Sequence, residues 1–219
     1  MLRVVTVGAG RWGCIHASKI AAHPDAALVG MVDLDLGLAM EARDTFGARE
    51  AARRLDDLGH DFDAVTVAVP IDELAVVATA ALTLGKPVLV EKPGGVSRSE
   101  LGELSRLAHT QRVSVSVGYL ERFNGAIRRI RRPAQQIAMW RGGPRRMGGS
   151  SLAMDWTCHD INLAQYLTGD PLGVIQWRKS HEQRIRLRLS GQDGQDVRVH
   201  TACNATRIKR RLWVDGGFI

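Results

Sequence analysis

The first 118 residues alternate between short apolar runs and longer amphipathic segments. Apolar runs of strand length lie at residues 3–7, 27–32, 64–69, 88–90 and 114–117. Helical patterns separate them, near residues 11–22, 36–45, 72–84 and 97–110. Continuous apolar strands linked by helices are typical of a parallel sheet covered on both faces. The pattern therefore predicts an α/β unit over residues 1–118, with a doubly wound, Rossmann-type parallel sheet.

Beyond Gly118 the pattern changes. A basic helix is predicted over residues 121–131, a strand over 137–140, a Gly- and Arg-rich loop over 141–149, and an amphipathic helix over 153–167. Stretches at 173–179, 184–189, 196–202 and 207–214 alternate Arg with Ile, Leu or Val. Such alternation is typical of antiparallel strands with one wet face. Residues 119–219 are therefore predicted to form a C-terminal α+β domain with an open, mostly antiparallel sheet, used for substrate binding and oligomerisation.

A glycine turn joins the first strand to the first helix. The turn reads Gly8-x-Gly10-x-x-Gly13, and the second strand ends on Asp33, twenty residues further on. Gly8 permits a tight turn, Gly10 lets the backbone approach a pyrophosphate, and Gly13 permits close packing of helix and strand. The helix N-terminus supplies N–H groups for phosphates, and Asp33 can accept from ribose hydroxyls. This arrangement predicts a dinucleotide site.

Composition excludes several classes of protein. The 45% hydrophobic content can bury a normal core, and no apolar stretch approaches the roughly 20 residues that span a bilayer. Three widely spaced cysteines indicate reduced thiols and a cytoplasmic location rather than disulfides or zinc. The formal charge is +7, but the basic residues are spread along the chain without interleaved aromatics, so nucleic acid is not expected.

Two motifs could carry chemistry. Lys92, in Glu91-Lys92-Pro93, follows a predicted parallel strand, at the sheet edge where such folds bind ligands. Asp155 and His159 are four residues apart on a predicted helix, so they share a face. An imidazole oriented by a carboxylate is a workable general base near neutral pH. Each motif alone is also compatible with an ordinary surface Lys or a surface hydrogen bond, and Asp160 is interpreted as structural.

The glycine turn, Glu91-Lys92-Pro93 and the segment from Asp155 to Leu163 occur in an order and spacing that resemble the Gfo/Idh/MocA oxidoreductases. The segment 118–124, Gly-Tyr-Leu-Glu-Arg-Phe-Asn, resembles members that oxidise nucleotide-linked sugars at C3.

This resemblance implies an NAD(P)-dependent dehydrogenase acting on a sugar or nucleotide sugar. It implies that His159 acts as general acid/base, that Lys92 hydrogen-bonds the reacting oxygen, and that Asp155 supports them. The implied cofactor contacts are Gly8, Gly10, Arg11, Trp12, Gly13, Asp33, Val69, Pro70, Glu91 and Lys92. The implied substrate contacts are Lys92, Arg122, Asn124, Asp155 and His159. No metal is implied.

The chain departs from the family pattern in several places. Leu74 stands where a His commonly follows Pro70 by four residues, Tyr119 where many members have His, and Asn162 where Asp is usual. The chain also ends at Ile219, where many relatives continue, which predicts a shortened sheet. Two other functions therefore stay open: reduction of an imine or conjugated double bond on the same scaffold, and a catalytically silent cofactor-binding regulator.

Cofactor choice and assembly follow from two further patterns. Asp33 would repel a 2′-phosphate and no Arg or Lys adjoins it, which favours NAD over NADP, although Arg43 on the next helix could reach in. The open sheet predicts a homodimer or homotetramer, with Trp177, Leu187 and their neighbours Ile185 and Leu189 as candidate apolar contacts.

Overall fold

The structure is a computed structural model that describes residues 1–59, 61–144, 151–180 and 184–219. It divides into two compact units, Met1–Gly118 and Tyr119–Ile219. Part of the predicted loop at 141–149, namely residues 145–149, lies outside the described residues.

The first unit is a six-stranded parallel sheet in the order β3-β2-β1-β4-β5-β6. Its strands are β1 (Leu2–Val7), β2 (Ala26–Val32), β3 (Glu50–Ala52), β4 (Ala64–Val67), β5 (Val88–Val90) and β6 (Val115–Val117). Its α-helices are α1 (Arg11–Ala21), α2 (Leu36–Phe46), α3 (Leu74–Thr83) and α4 (Arg98–Gln111), with 3-10 turns at Leu55–Asp57 and Ile71–Glu73. The strand order reverses between β1 and β4, which makes their carboxyl ends the ligand-binding point of such a fold.

Local chemistry fixes the ends of these helices. Asp35 caps α2 by accepting from the N–H groups of Gly37 and Leu38, and Ser97 caps α4 by accepting from Glu100 N–H at 3.2 Å. Gly47 ends α2 with φ of 72°, a conformation that glycine adopts without strain. The short edge strand β3 was not predicted, because its three residues are too few to show a period.

The second unit is a six-stranded mixed sheet in the order β12-β11-β7-β10-β9-β8. Its strands are β7 (Gln136–Pro144), β8 (Gly173–Ser180), β9 (Arg184–Ser190), β10 (Asp196–Ala202), β11 (Asn204–Val214) and β12 (Gly217–Phe218). Its helices are α5 (Gly125–Arg128) and α6 (Cys158–Thr168), with a 3-10 turn at Leu120–Phe123 and a π-helical turn at Ala153–Thr157 that leads into α6. The pairing is antiparallel except between β7 and β10. This confirms the predicted fold class.

One face of the second sheet packs on α6. Leu163, Ala164 and Leu167 of the helix are buried against Ile137, Val197 and other strand residues. Ile185 and Leu189 point to this side and are buried, while Trp177 on the edge strand is 59% exposed.

The opposite face, called here the open face, is a broad groove of about 970 Å³. Its side chains include Trp140, Gln176, Arg178, Arg186, Arg188, Arg198, His200, Lys209, Arg211 and Trp213. The uncovered face of the sheet through which assembly was predicted is therefore predominantly basic rather than apolar.

The predicted basic helix over residues 121–131 is wrong. The chain makes only a 3-10 turn, Leu120–Phe123, and the single turn α5. Asn124 separates them because its backbone is extended, at φ −61° and ψ 130°, and its side-chain oxygen accepts from Ala126 N–H at 2.9 Å. An Asn that caps a new turn competes with continuation of the helix through it.

Candidate functional site

The glycine turn of the first unit has the shape that a dinucleotide requires. Gly8 has φ of 99°, and a side chain there would overlap the Ala68 carbonyl. A side chain at Gly13 would overlap the Gly8 carbonyl, so the turn closes on itself. A Cβ at Gly10 would meet no atom within 4 Å, which leaves space for a ligand to approach the backbone. The residues present therefore fit a pyrophosphate.

The N-terminus of α1 continues this cradle. Gly10 occupies the N-cap, no side chain caps the helix, and its first turn carries no acidic residue. The first N–H groups of a helix lack intrahelical partners and favour an anion. Arg11 and Trp12 are exposed on this first turn, and Val69 lies beside Gly8. Pro70 follows at the start of the Ile71–Glu73 turn.

Asp33 directly follows β2, next to the turn. One carboxylate oxygen accepts from Ala9 N–H at 2.7 Å, and the other accepts from Asp35 N–H at 2.9 Å. Asp33 therefore fixes the glycine turn in addition to the ribose contact predicted for it. Arg43 is paired with its neighbour Asp44 at 2.8 Å.

Arg53 was missed by the sequence analysis. Its guanidinium donates to the Leu34 carbonyl at 2.6 Å, which places a cation beside the loop after β2. It comes 19 residues after Leu34, and no local sequence pattern marks this contact.

Glu91, predicted to contact the cofactor, is buried behind Lys92. Its carboxylate contacts His16 Nε2 at 3.0 Å and accepts from Lys92 N–H at 3.1 Å. Glu91 is 6% exposed, and Lys92 is half-buried. The carboxylate thus connects α1, whose uncapped N-terminus fits a phosphate, to the turn that contains Lys92. His16 is the second residue that the sequence did not reveal, since it lies 75 positions away from Glu91.

In the second unit, Asp155 and His159 are both half-buried. Asp155 belongs to the π-helical turn and His159 to the first turn of α6. Single π-helical turns within helices occur frequently at functional sites. The two residues were predicted to lie on one regular α-helix. In the structure, the turn that contains Asp155 is instead π-helical, and α6 begins only at Cys158.

Tyr119 contacts His159 edge-to-face, with ring centroids 6.1 Å apart. Burial, followed by the electrostatic effect of Cys158, raises the pKa of Tyr119 to about 12, and Arg122 opposes this rise. The phenol therefore remains protonated at neutral pH and can donate a hydrogen bond.

Arg122 and Asn124 follow on the segment between Gly118 and β7. Arg122 Nε donates to Asn162 Oδ1 at 2.6 Å, while Asn124 caps α5. Arg122 lies next to the His159 helix, whereas the capping oxygen of Asn124 is committed to the backbone.

Asp160 has the structural role expected of it. Its carboxylate accepts from Arg141 Nε at 2.9 Å and from the Arg141 Nη2 at 2.7 Å, with both residues buried. Burial raises the pKa of Asp160, and the Arg141 guanidinium opposes the rise. Glu121 extends the network by contacting Arg141 at 3.4 Å and Arg210 at 2.5 Å.

Residues 2–119 match the Gfo/Idh/MocA family, described as an oxidoreductase family with an NAD-binding Rossmann fold. The chain belongs to this family. The match covers the glycine turn, Asp33 and Lys92, and it confirms the resemblance inferred from the motifs.

Relatives within the Gfo/Idh/MocA family are named dehydrogenases. A UDP-N-acetylglucosamine 3-dehydrogenase of Acidithiobacillus ferrooxidans is 28% identical over 186 residues, 79% of this chain and 56% of the relative. An inositol 2-dehydrogenase of Leifsonia xyli subsp. xyli is 29% identical over 189 residues, 80% of this chain and 56% of the relative. The chain therefore spans a little over half the length of these relatives.

A solved structure shares the fold. The scyllo-inositol dehydrogenase of Lactobacillus casei, with bound NAD(H) and scyllo-inositol, has a TM-score of 0.84 at 19% identity. The likeness covers 100% of this chain and 75% of that one.

Three further features bear on the chemistry of this Gfo/Idh/MocA member. Within the described ranges, no cluster of three His, Cys, Asp or Glu side chains could hold a metal ion. No helix in the described part of the chain is long and apolar enough to cross a membrane. Cys14, Cys158 and Cys203, all described, form no disulfide with one another.

Proposed function

We propose that this protein transfers a hydride between NAD and a hydroxyl or keto carbon of a sugar or nucleotide sugar. The observation that carries the proposal is the cradle at Gly10. Open space there faces the uncapped N-terminus of α1, with Asp33 beside it, in a family described as NAD-binding. The named relatives, which act on UDP-N-acetylglucosamine or inositol, support a polyol-like substrate.

The proposed catalytic roles belong to Lys92, His159 and Asp155. His159 accepts the hydroxyl proton during oxidation and returns it during reduction, as a general acid/base. Lys92 donates a hydrogen bond to the same oxygen and stabilises its developing negative charge. Asp155 orients His159 or the substrate. NAD, when bound, supplies the ring that accepts or returns the hydride.

Replacement of the two reacting residues tests these roles. In Lys92→Ala and His159→Ala we expect normal NADH binding and nearly complete loss of turnover, about 10²–10⁴-fold for His159, because a general base contributes that much. NADH formation would be followed by absorbance with UDP-N-acetylglucosamine and myo-inositol as substrates.

Exposed residues provide matched controls. Lys19→Ala and His109→Ala change the same side chains at exposed positions on α1 and α4, and both should retain turnover. Undiminished turnover in His159→Ala would contradict the proposed general acid/base role of His159.

We also propose that copies associate through the open face, as a dimer or tetramer. The proposal is supported by the extent of this uncovered groove of about 970 Å³.

A further inference from the structure

A row of half-buried side chains runs along one side of the helix that carries His159. His159, Asn162 and Tyr166 of α6 follow one another at intervals of three and four residues, and Asp155 precedes them in the π-helical turn. Residues three and four positions apart are neighbours on a helix surface. Asn162 and Tyr166 therefore continue the proposed catalytic row beyond His159.

Arg122 is held against this continuation by two contacts. Its Nε donates to Asn162 Oδ1 at 2.6 Å. Its guanidinium carbon lies 5.6 Å from the centroid of the Tyr166 ring, within the range of a cation–π contact. Arg132 lies 4.1 Å from the same ring and adds a second positive charge.

The charge of Arg122 is not neutralised by the residues that hold it. Asn162 and Tyr166 are uncharged, and among the described residues no carboxylate oxygen lies within 4.0 Å of the guanidinium. Arg141 provides the contrast, since Asp160 and Glu121 both pair with it. Arg122 is nevertheless half-buried, so its charge is partly removed from water.

The unused donors of Arg122 suit an anion. Guanidinium has five N–H donors in a planar fork, and the hydrogen bond to Asn162 uses only the one on Nε. Carboxylate and phosphate oxygens match that fork as bidentate acceptors. Asn162 lies three residues beyond His159, which at about 1.5 Å per residue is about 5 Å along the helix.

We propose that Arg122 is a specificity-determining residue that selects substrates carrying a carboxylate or phosphate about one helical turn from the reacting hydroxyl. The inference rests on the proposed role of His159 and specifies the substrate class of that site. It separates the substrates named for the two relatives, because UDP-N-acetylglucosamine carries phosphates and inositol is uncharged.

Two substitutions test whether the positive charge of Arg122 is needed for binding of an anion. Arg122→Gln removes the cation, and Asn162→Asp places a carboxylate on its hydrogen-bond partner, which neutralises the cation in place. Arg131→Gln removes a charge from an exposed neighbouring position as the control. Thermal melting verifies that each variant is folded. If Arg122→Gln does not fold, Asn162→Asp still tests the charge.

Binding would be measured by calorimetry on the full chain with NADH present. Three probes are compared. UDP-N-acetylglucosamine carries phosphates, D-glucuronate carries only a carboxylate, and myo-inositol is neutral. We expect both substitutions to weaken at least one anionic probe about tenfold to hundredfold, the usual contribution of a hydrogen bond to a charged group. Myo-inositol affinity should not change, and the probe that is affected identifies the anionic group.

Equal affinity of wild type for myo-inositol and the anionic probes would overturn the proposal. So would unchanged anionic affinity in both variants, or no binding of either anionic probe at millimolar concentration. Because the measurement is binding rather than turnover, inactive Lys92→Ala or His159→Ala variants do not affect its result. Failure of the hydride-transfer proposal and failure of anion selection are thus separable.

Discussion

At the scale of single residues, Asp33 does more than its position after β2 predicts. Its two oxygens accept from the Ala9 and Asp35 N–H groups, so it shapes the glycine turn in addition to the ribose contact proposed for it. A carboxylate there would also repel a 2′-phosphate, so we expect preference for NAD over NADP to depend on Asp33. Arg53, on the Leu34 carbonyl, is the nearby cation that could oppose this preference.

Asp33→Asn removes the charge and keeps one of the two backbone contacts. The amide oxygen can still accept from Ala9 N–H, whereas the amide nitrogen cannot accept from Asp35 N–H. We expect wild type to bind NADH more tightly than NADPH. In the variant, the ratio of the NADH affinity to the NADPH affinity should fall about tenfold, which corresponds to about 1.4 kcal/mol in binding free energy. Fluorescence titration of both cofactors provides the measurement.

Asp25→Asn, which removes a charge from an exposed turn, is the matched control and should leave the ratio unchanged. Wild type that binds NADPH as tightly as NADH would show that Asp33 does not decide the choice.

At the scale of elements, a salt bridge connects β7 to α6. Arg141 and Asp160 are 8% and 3% exposed, and their hydrogen bonds are 2.7–3.1 Å long. Breaking a buried pair by removing one partner leaves an uncompensated charge, which costs about 3–5 kcal/mol. This pair therefore fixes the helix that carries His159 on its sheet.

Asp160→Ala should lower the free energy of unfolding of the second unit by about 3–5 kcal/mol. Urea unfolding followed by tryptophan fluorescence reports this unit, since four of the five tryptophans lie in it. The exposed pair Asp196–Arg198 gives the comparison: Arg198→Ala should cost less than about 1 kcal/mol. Equal costs for the two variants would mean that Arg141 finds compensation elsewhere.

Sequence periodicity predicted the helices and strands that bury a regular face. It failed where contacts between distant residues determine the local structure. Apart from the short edge strand β3, the strands and helices of the first unit followed from their apolar spacing, and the glycine turn followed from its residue types. The helix over residues 121–131 failed because the Asn124 cap interrupts it. The parallel pairing of β7 with β10, and the contacts of Glu91 with His16 and of Arg122 with Asn162, join distant residues. No local period contains such information.

At the scale of the whole molecule, the net charge of +7 is not distributed as the sequence suggests. Basic residues that are scattered along the chain converge on the open face, where Arg178, Arg186, Arg188, Arg198, Lys209 and Arg211 line one groove. Asp196 compensates two of them, Arg188 and Arg198. Two copies that met on this face would bring these cations together.

Association through the open face should therefore strengthen as salt screens the repulsion. We expect sedimentation at micromolar concentration to show more dimer or tetramer at high than at low ionic strength. Arg186→Ser should promote assembly at low salt, and Arg131→Ser, away from this groove, should not. Monomer at every salt concentration, or assembly that weakens with salt, would count against this interface.

The aromatic pair on that groove gives it an intrinsic optical reporter. The Trp140 indole lies over Gly142, where a side chain would overlap it, and meets the His200 ring edge-on at 6.3 Å. Burial, followed by Arg186 and Arg184, lowers the pKa of His200, so its imidazole stays neutral at neutral pH. Because the imidazole beside Trp140 gains no charge near neutral pH, we expect the emission of Trp140 to change when another molecule covers the groove.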